Sequence, residues 1–314
     1  MTFQEEDIGL FNNPSKRGDN DNANKRREDI LTYILNISLK SDPPLGYEFI
    51  NINPEWINLY EELHKYAISN LPSTIGDIKS NIISYKCIKK AGRSNRYDFS
   101  LIYELNNGGN HVRDIEFKYN SEKVEDCAQF HSPSDPEKHL ISEIPFTKYH
   151  YDNYLPIFSS YLDMDLPHYD IYKKEMKFKN SPDFPLLSVA KKKYYSGSTG
   201  SSQYTGLQED ITFYELSNEI SKECFKNFFE ICELDHESLT DLWLSSQINK
   251  EYMLYKDGKL HYQKLKEDDY KIISVEKKCP NFICKTQSGR VLKVLFRWRN
   301  GAGIANPAFQ VSMK

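Results

Sequence analysis

The chain has 314 residues, 39% of them hydrophobic, and a mean hydropathy of −0.67, enough for one large domain or two modest ones with a real core. No apolar run approaches the roughly 18 residues of a membrane-spanning helix, and the opening MTFQEEDIGLFNN has no basic segment leading into an apolar run, which argues against a secretory signal. A formal net charge of −4 excludes a general nucleic-acid coat, which would be strongly basic, but leaves room for an enzyme that confines its positive charge to one groove.

In chain order, residues 1–24 include PSKRGDNDNAN and read as a flexible arm, too poor in apolar side chains to pack. Residues 25–40 predict a helix with Ile30, Tyr33, Ile34 and Ile37 on one face. Residues 54–70 predict a second, with Asn53 as its cap and Pro54 at the first helical position. From residue 82 the apolar period changes from helical to two. Residues 82–88 and 97–105 read as strands, Asn107-Gly108-Gly109 as a turn, and 111–119 as the return strand. The Tyr- and Pro-rich stretch 145–182 gives no clear period. Residues 191–206, KKKYYSGSTGSSQYTG, read as a basic, Gly/Ser-rich loop. Helices are predicted over 216–232 and 236–250, and an all-β tail from 251, with turns at Asp257-Gly258 and Ser288-Gly289.

This order of elements predicts an α/β fold. It divides into an arm (1–24), a helical segment plus central sheet (25–185) and a C-terminal α+β part (186–314), the last two being either separate or one continuous domain. The six cysteines (Cys87, Cys127, Cys224, Cys232, Cys279 and Cys284) include no Cys-x-x-Cys pair. That argues against zinc and for buried free thiols in a reducing, cytoplasmic compartment.

The hairpin at 97–119 carries the most chemistry. Tyr97, Phe99, Leu101, Tyr103 and Leu105 are apolar, and so are Ile115, Phe117 and Tyr119. Side chains alternate across a strand, so the odd positions share the buried face and paired residues sum to an even number. An odd-length loop around Asn107–Gly109 gives a sum of 216. Asp98 then lies opposite Lys118 and Glu116 opposite Ser100, which makes Asp98 and Glu116 diagonal neighbours roughly 5–8 Å apart on the even face. Lys118, two residues beyond Glu116, projects from the same face. Two carboxylates converging there suit Mg²⁺, a hard ion held by one or two carboxylates with water and phosphate oxygens. The ammonium suits a scissile phosphate.

Asp98 followed by Glu116-Phe117-Lys118 resembles the PD-(D/E)XK motif of type II restriction endonucleases and their relatives, with Tyr97 in place of the motif's proline. The resemblance implies a restriction-endonuclease-like central mixed β-sheet flanked by helices, and Mg²⁺-dependent hydrolysis that leaves a 5′-phosphate and a 3′-hydroxyl. It implies Asp98, Glu116 and the Phe117 main-chain carbonyl as metal ligands, Lys118 as the group that assists the attacking water, and a further glutamate from an upstream helix, for which Glu61 and Glu62 are candidates. Ala128-Gln129-Phe130 and the C-terminal RWRNGAGIANPAFQV, a strand, glycine turn and strand, are also similar to enzymes of this type.

Candidate DNA contacts are Lys191, Lys192 and Lys193 to phosphates, with Tyr194 and Tyr195 beside them, or equally a plain surface linker. Arg297, Arg299 and Asn300 are candidate base readers, or ion pairs on a surface strand. Gln129 is a further candidate, and Gln310 is expected to satisfy backbone. No H-N-H pattern supports a ββα-metal nuclease, and Ser196, Ser198, Ser201 and Ser202 have no nucleophile-elbow context. The expected function is sequence-specific cleavage of double-stranded DNA by a restriction enzyme. A cognate DNA methyltransferase is its functional partner, and a homodimer is the default for reading palindromes. The alternatives are a repair or degradative nuclease, and a catalytically silent DNA-binding protein on the same fold.

Overall fold

The computed structural model describes residues 5–12, 20–37, 53–69, 71, 81–90, 97–127, 133, 135–177, 185–298 and 307–314. The chain forms two compact units, Met1–Ala128 with Trp243–Tyr270, and Gln129–Leu242 with Lys271–Lys314. Residue 185, where the sequence suggests a break, falls inside the second unit. The hairpin's sheet takes two of its five strands from far along the chain, at 250–264.

The first unit holds helices α1 (Asn20–Ile37) and α2 (Pro54–Ile68) and strands β1 (Ile82–Lys89), β2 (Phe99–Leu105), β3 (Asn110–Tyr119), β4 (Lys250–Lys256) and β5 (Lys259–Lys264). The strands form one sheet in the order β1-β2-β3-β4-β5. Only β3 and β4 run parallel, with Asp114 opposite Lys250 and Phe117 opposite Met253. The sheet is therefore mixed and the class α/β, as expected. A parallel pair needs a long crossover, and here the crossover is residues 120–249. Strand β4, KEYMLYK, is buried through its first six residues, as befits a strand between two neighbours.

The core lies on the odd face. Phe99, Leu101, Tyr103, Ile115 and Phe117 pack with Met253 and Tyr255 against Ile30, Leu31, Ile34 and Leu35 of α1 and Trp56, Leu59 and Leu63 of α2. Each fully buried side chain of this size contributes about 1.5–3 kcal/mol. The stripe on α1 is turned by one residue from the predicted face, because Leu31 and Leu35 share the burial. The start of α2 is as expected: Asn53 Oδ1 accepts from the Glu55 N–H at 2.9 Å, with Pro54 following. The arm departs from expectation. Glu5–Ile8 and Gly9–Asn12 form helical turns that bury Ile8 and Phe11, and α1 begins at Asn20. Two apolar side chains, with Arg26 paired to Asp7 and Arg27 Nε donating to the Leu10 carbonyl at 2.8 Å, hold a segment whose average composition is polar. Residues 13–19 lie outside the described residues.

The second unit holds α3 (Phe146–Asn153), α4 (Leu155–Tyr161), α5 (Tyr169–Lys177), α6 (Pro185–Gly197), α7 (Gln208–Ile231) and the start of α8 (His236–Gln247). It also holds an antiparallel sheet of β6 (Ile272–Lys278), β7 (Asn281–Thr286), β8 (Val291–Trp298) and β9 (Pro307–Met313). Phe225 and Phe228 of α7 meet Phe296 of β8 at ring separations of 4.6 and 6.0 Å. Of the unassigned stretch 145–182, the described part, 145–177, holds three short helices. While 198–206 form the expected loop, the 191–206 segment is corrected in its first part, where Lys191, Lys192 and Lys193 lie on α6. Gly197 serves close approach there, since a Cβ at that position would stand 2.0 Å from the Asp210 carbonyl. Tyr194 is buried with its ring 4.9 Å from that of Tyr214. Packing on α7 outweighs the local Gly/Ser signal.

Among the described residues no helix is long and apolar enough to cross a membrane. All six cysteines are free, and all but Cys279 are buried.

Candidate active site

The site is built where β2 and β3 diverge. The hairpin keeps the expected parity but not the expected register. Phe99 pairs with Ile115 and Glu104 with Asn110, a sum of 214 rather than 216. The turn decides this. Gly108 N–H donates to the Leu105 carbonyl and Leu105 N–H to the Gly109 carbonyl, both at 2.9 Å, so the loop is 106–108 instead of 107–109. Gly108 takes the left-handed conformation that this loop requires (φ 77°), and Asn107 Oδ1 accepts from the Gly109 N–H at 2.9 Å. A shift of two in the sum preserves which face each residue occupies. It does move Asp98 from opposite Lys118 to opposite Glu116.

Asp98 immediately precedes β2. Its N–H donates to the Ile115 carbonyl at 2.9 Å, its carbonyl accepts from the Lys90 N–H at 2.7 Å, and its Oδ2 accepts from the Phe117 N–H at 2.9 Å. The carboxylate therefore takes over a ladder position from the backbone and is fixed by it. Burial, and then the charge of Glu116, raise the Asp98 carboxyl from 3.8 to about 7, with the Phe117 N–H and Lys118 opposing.

Glu116 is held on both sides. Lys118 Nζ lies 2.5 Å from its Oε1, and Lys250 Nζ lies 3.0 Å from its Oε2. Burial alone would raise this carboxyl, but the two ammonium groups outweigh it and hold it below the ordinary glutamate value. Burial likewise pushes Lys118 down, but Glu116 reverses the sign and raises it. For Lys250 burial prevails and the amine is lowered. Ser100 Oγ donates to Asp114 Oδ1 at 2.8 Å on the adjacent rung.

The upstream acid that reaches this cluster is Glu28 of α1. Its charge adds to the upward shift of Asp98, and its Oε2 lies 3.2 Å from Lys89 Nζ, which also meets Asp29 Oδ1 at 2.7 Å. Lys89 ends β1 and pairs with Phe99, which brings Glu28 beside the start of β2. Glu61 is exposed on α2. Glu62 accepts from the Leu260 N–H at 2.9 Å.

Lys250 and Glu28 were missed by sequence reasoning. Lys250 falls where the pattern suggested a helix end, although α8 stops at Gln247. For Glu28 a signal existed. It lies on α1, the helix that packs on β1, just ahead of the Ile30 stripe.

In the second unit Lys191 is half-buried and Lys192 exposed, while Lys193 Nζ is 3.4 Å from both Glu209 Oε1 and Asp210 Oδ1. Arg297 donates through Nη1 to Gln310 Oε1 at 2.8 Å across β8 and β9, so Gln310 serves a side chain as well as its strand. Those two strands pair antiparallel as expected, and residues 299–306 between them lie outside the described residues. Gln129, Arg299 and Asn300 lie outside the described residues.

The raised carboxyl of Asp98 has a consequence for stability. A folded-state value above the unfolded one means that the native form holds the proton more tightly. The stability it contributes is complete below about pH 4 and is lost as pH rises through about 7. Asp98→Asn removes that loss, so thermal melting of the metal-free variant is expected to gain over the parent at pH 8 and not at pH 4. An equal gain at both pH values would contradict the assignment.

No protein-family profile matches the chain, and no curated protein matches it. Among solved structures, the crystal structure of restriction endonuclease MspI in complex with its cognate DNA is similar over 98% of this chain and 95% of that chain, with 11% sequence identity and a TM-score of 0.32.

Proposed function

We propose that the chain is a Mg²⁺-dependent endonuclease that hydrolyses phosphodiester bonds of double-stranded DNA. The observation that carries this reading is the cluster of Asp98, Glu116 and Lys118 at the mouth of one hairpin, where burial, and then the charge of Glu116, raise Asp98 to about 7 while Lys118 holds Glu116.

The residues fit a divalent cation. Crowded, partly desolvated carboxylates are what such an ion relieves, and Mg²⁺ takes one or two of them with water and phosphate oxygens. Among the described residues no group of three or more His, Cys, Asp and Glu side chains forms a metal cage. With two carboxylates, the proposed site would be completed by water and substrate oxygens. Asp98, Glu116 and the Phe117 carbonyl would hold the ion, which when bound would supply charge stabilisation at the phosphate. The chain's own contributions are separate. The Phe117 N–H orients Asp98, and Lys118 sets an ammonium where negative charge develops on the phosphate and orients the attacking water. Glu28, paired with Lys89, contributes negative charge near Asp98.

The finer reading is a type II restriction enzyme that cuts at a short specific sequence, acts as a homodimer on a palindrome, and is paired with a methyltransferase that protects the host. Lys191, Lys192 and Arg297 are the proposed DNA contacts. Lys193 joins them only by giving up Glu209 and Asp210. Gln129, Arg299 and Asn300 are kept as candidate DNA contacts.

Digestion of unmethylated plasmid in Mg²⁺, followed by sequencing of the ends, tests the reading. Discrete fragments with 5′-phosphate and 3′-hydroxyl ends are expected. A smear would point to a repair or degradative nuclease. DNA binding in Ca²⁺ with no cleavage in Mg²⁺ would point to a silent DNA-binding protein.

A further inference from the structure

Strand β4 begins with a lysine that its surroundings do not favour. Lys250 is 4% exposed in a strand otherwise made for the interior, KEYMLYK, and a buried ammonium carries a desolvation cost of several kcal/mol unless well compensated. Its register partner on the parallel strand is Asp114, which puts it on the even face with Glu116. Its Nζ reaches Glu116 Oε2 at 3.0 Å and lies 5.6 Å from the centre of the Tyr252 ring, a favourable site for a cation. Lys118 already holds the other oxygen of Glu116. One carboxylate therefore has two ammonium partners, delivered by two strands whose lysines lie 132 residues apart in sequence (250 − 118).

We propose that Lys250 is a positioning residue of this site, fixing the Glu116 carboxylate through its second oxygen while its charge opposes the arrival of a divalent cation at that same carboxylate. The inference rests on the metal-dependent reading above and adds a residue outside the Asp–Glu–Lys motif. Its physical content is a pair of opposed effects. The hydrogen bond holds Glu116 in one orientation, which favours turnover. The positive charge sits within about 5 Å of any ion bound to that oxygen, taking about 2 Å for the ion–oxygen bond, so it weakens ion binding. A purely structural lysine would not separate the two effects, because loss of packing degrades both together.

The test uses the full chain with Mn²⁺ as the probe, titrated by calorimetry without DNA, alongside steady-state cleavage of a DNA substrate. Lys250→Met is expected to bind Mn²⁺ roughly tenfold more tightly, and to cleave at least about tenfold more slowly with KM for DNA unchanged. Lys250→Arg, which keeps the charge, is expected to bring both values back towards the parent. Should the methionine variant not fold, Lys250→Gln separates the two effects, since it keeps a donor to Glu116 without the charge: Mn²⁺ binding is expected to tighten as for methionine, with cleavage falling less. Unchanged or weaker Mn²⁺ binding in the neutral variant overturns the role of Lys250 and leaves the nuclease reading standing. A parent protein that binds no Mn²⁺ overturns the metal-dependent reading itself, and this inference with it.

Discussion

Lys118→Ala is expected to lower Mg²⁺-supported cleavage by about 10²–10³-fold, the usual effect of removing one preorganised charge-stabilising group. Asp98→Ala is expected to lower it by at least as much. The two substitutions act differently. Lys118 is partly exposed and holds Glu116 Oε1, so its loss removes charge from the site and leaves Glu116 with Lys250. Asp98 accepts from the Phe117 N–H, so alanine there also frees a ladder donor at the point where β2 and β3 part. Circular dichroism and urea melts should show a folded protein in both cases, with the smaller change for Lys118→Ala. Cleavage that survives both substitutions would remove Asp98 and Lys118 from the chemistry.

The largest expected effect on stability lies elsewhere in the same sheet. Arg113 of β3 occupies an odd, core-facing position where parity alone would place an apolar side chain. It is fully buried. Its Nε donates to Glu251 Oε2 at 2.8 Å, and its Nη1 donates to the Tyr103 hydroxyl at 3.1 Å and to the carbonyls of Tyr66, Ala67 and Ser69 at 3.3–3.4 Å. The Tyr103 hydroxyl donates in turn to the Ala67 carbonyl at 2.7 Å. One guanidinium thus joins β3, β4 and the C-terminal end of α2. Arg113→Ala leaves Glu251 as an unpaired buried charge and should cost about 3–5 kcal/mol, whereas replacing both partners with apolar residues of similar volume should recover much of that loss. Urea denaturation of the parent, the two single variants and the double variant measures the coupling. Additive losses would mean that the pair is not a unit.

The two expected effects mark different uses of charge in one sheet. On the odd face Arg113 and Glu251 neutralise each other inside the core and order the strands. On the even face the two carboxylates and two ammonium groups balance in number but not in placement, because both lysines hold Glu116. Asp98 is left with a raised carboxyl beside a Glu116 that two lysines hold below its ordinary value. An imbalance of that kind in a buried cluster lowers stability, and it is where function is sought.

What the amino-acid sequence determined by itself is local. Period-two alternation put Phe99, Leu101, Ile115 and Phe117 on one face, and so put Asp98, Glu116 and Lys118 together on the other. That follows from strand geometry whatever the register, since any even sum preserves it. Asn53 and Pro54 announced the start of α2 because capping acts over two or three residues. What tertiary structure decided depends on distance or on closeness. The turn hydrogen bonds at Gly108 chose 214 over 216 and set Asp98 opposite Glu116. The pairing of β3 with β4 brought Lys250 to Glu116 across a long crossover, for which no local pattern codes. The packing of α1 on β1 brought Glu28, rather than Glu61 or Glu62, towards Asp98. Contact with α7 turned KKKYYSG from an apparent loop into a helix, because the glycine was needed for space and not for freedom. Local periodicity is written in neighbouring residues. The pairing of strands more than a hundred residues apart is settled only when burial, hydrogen bonding and charge are satisfied together.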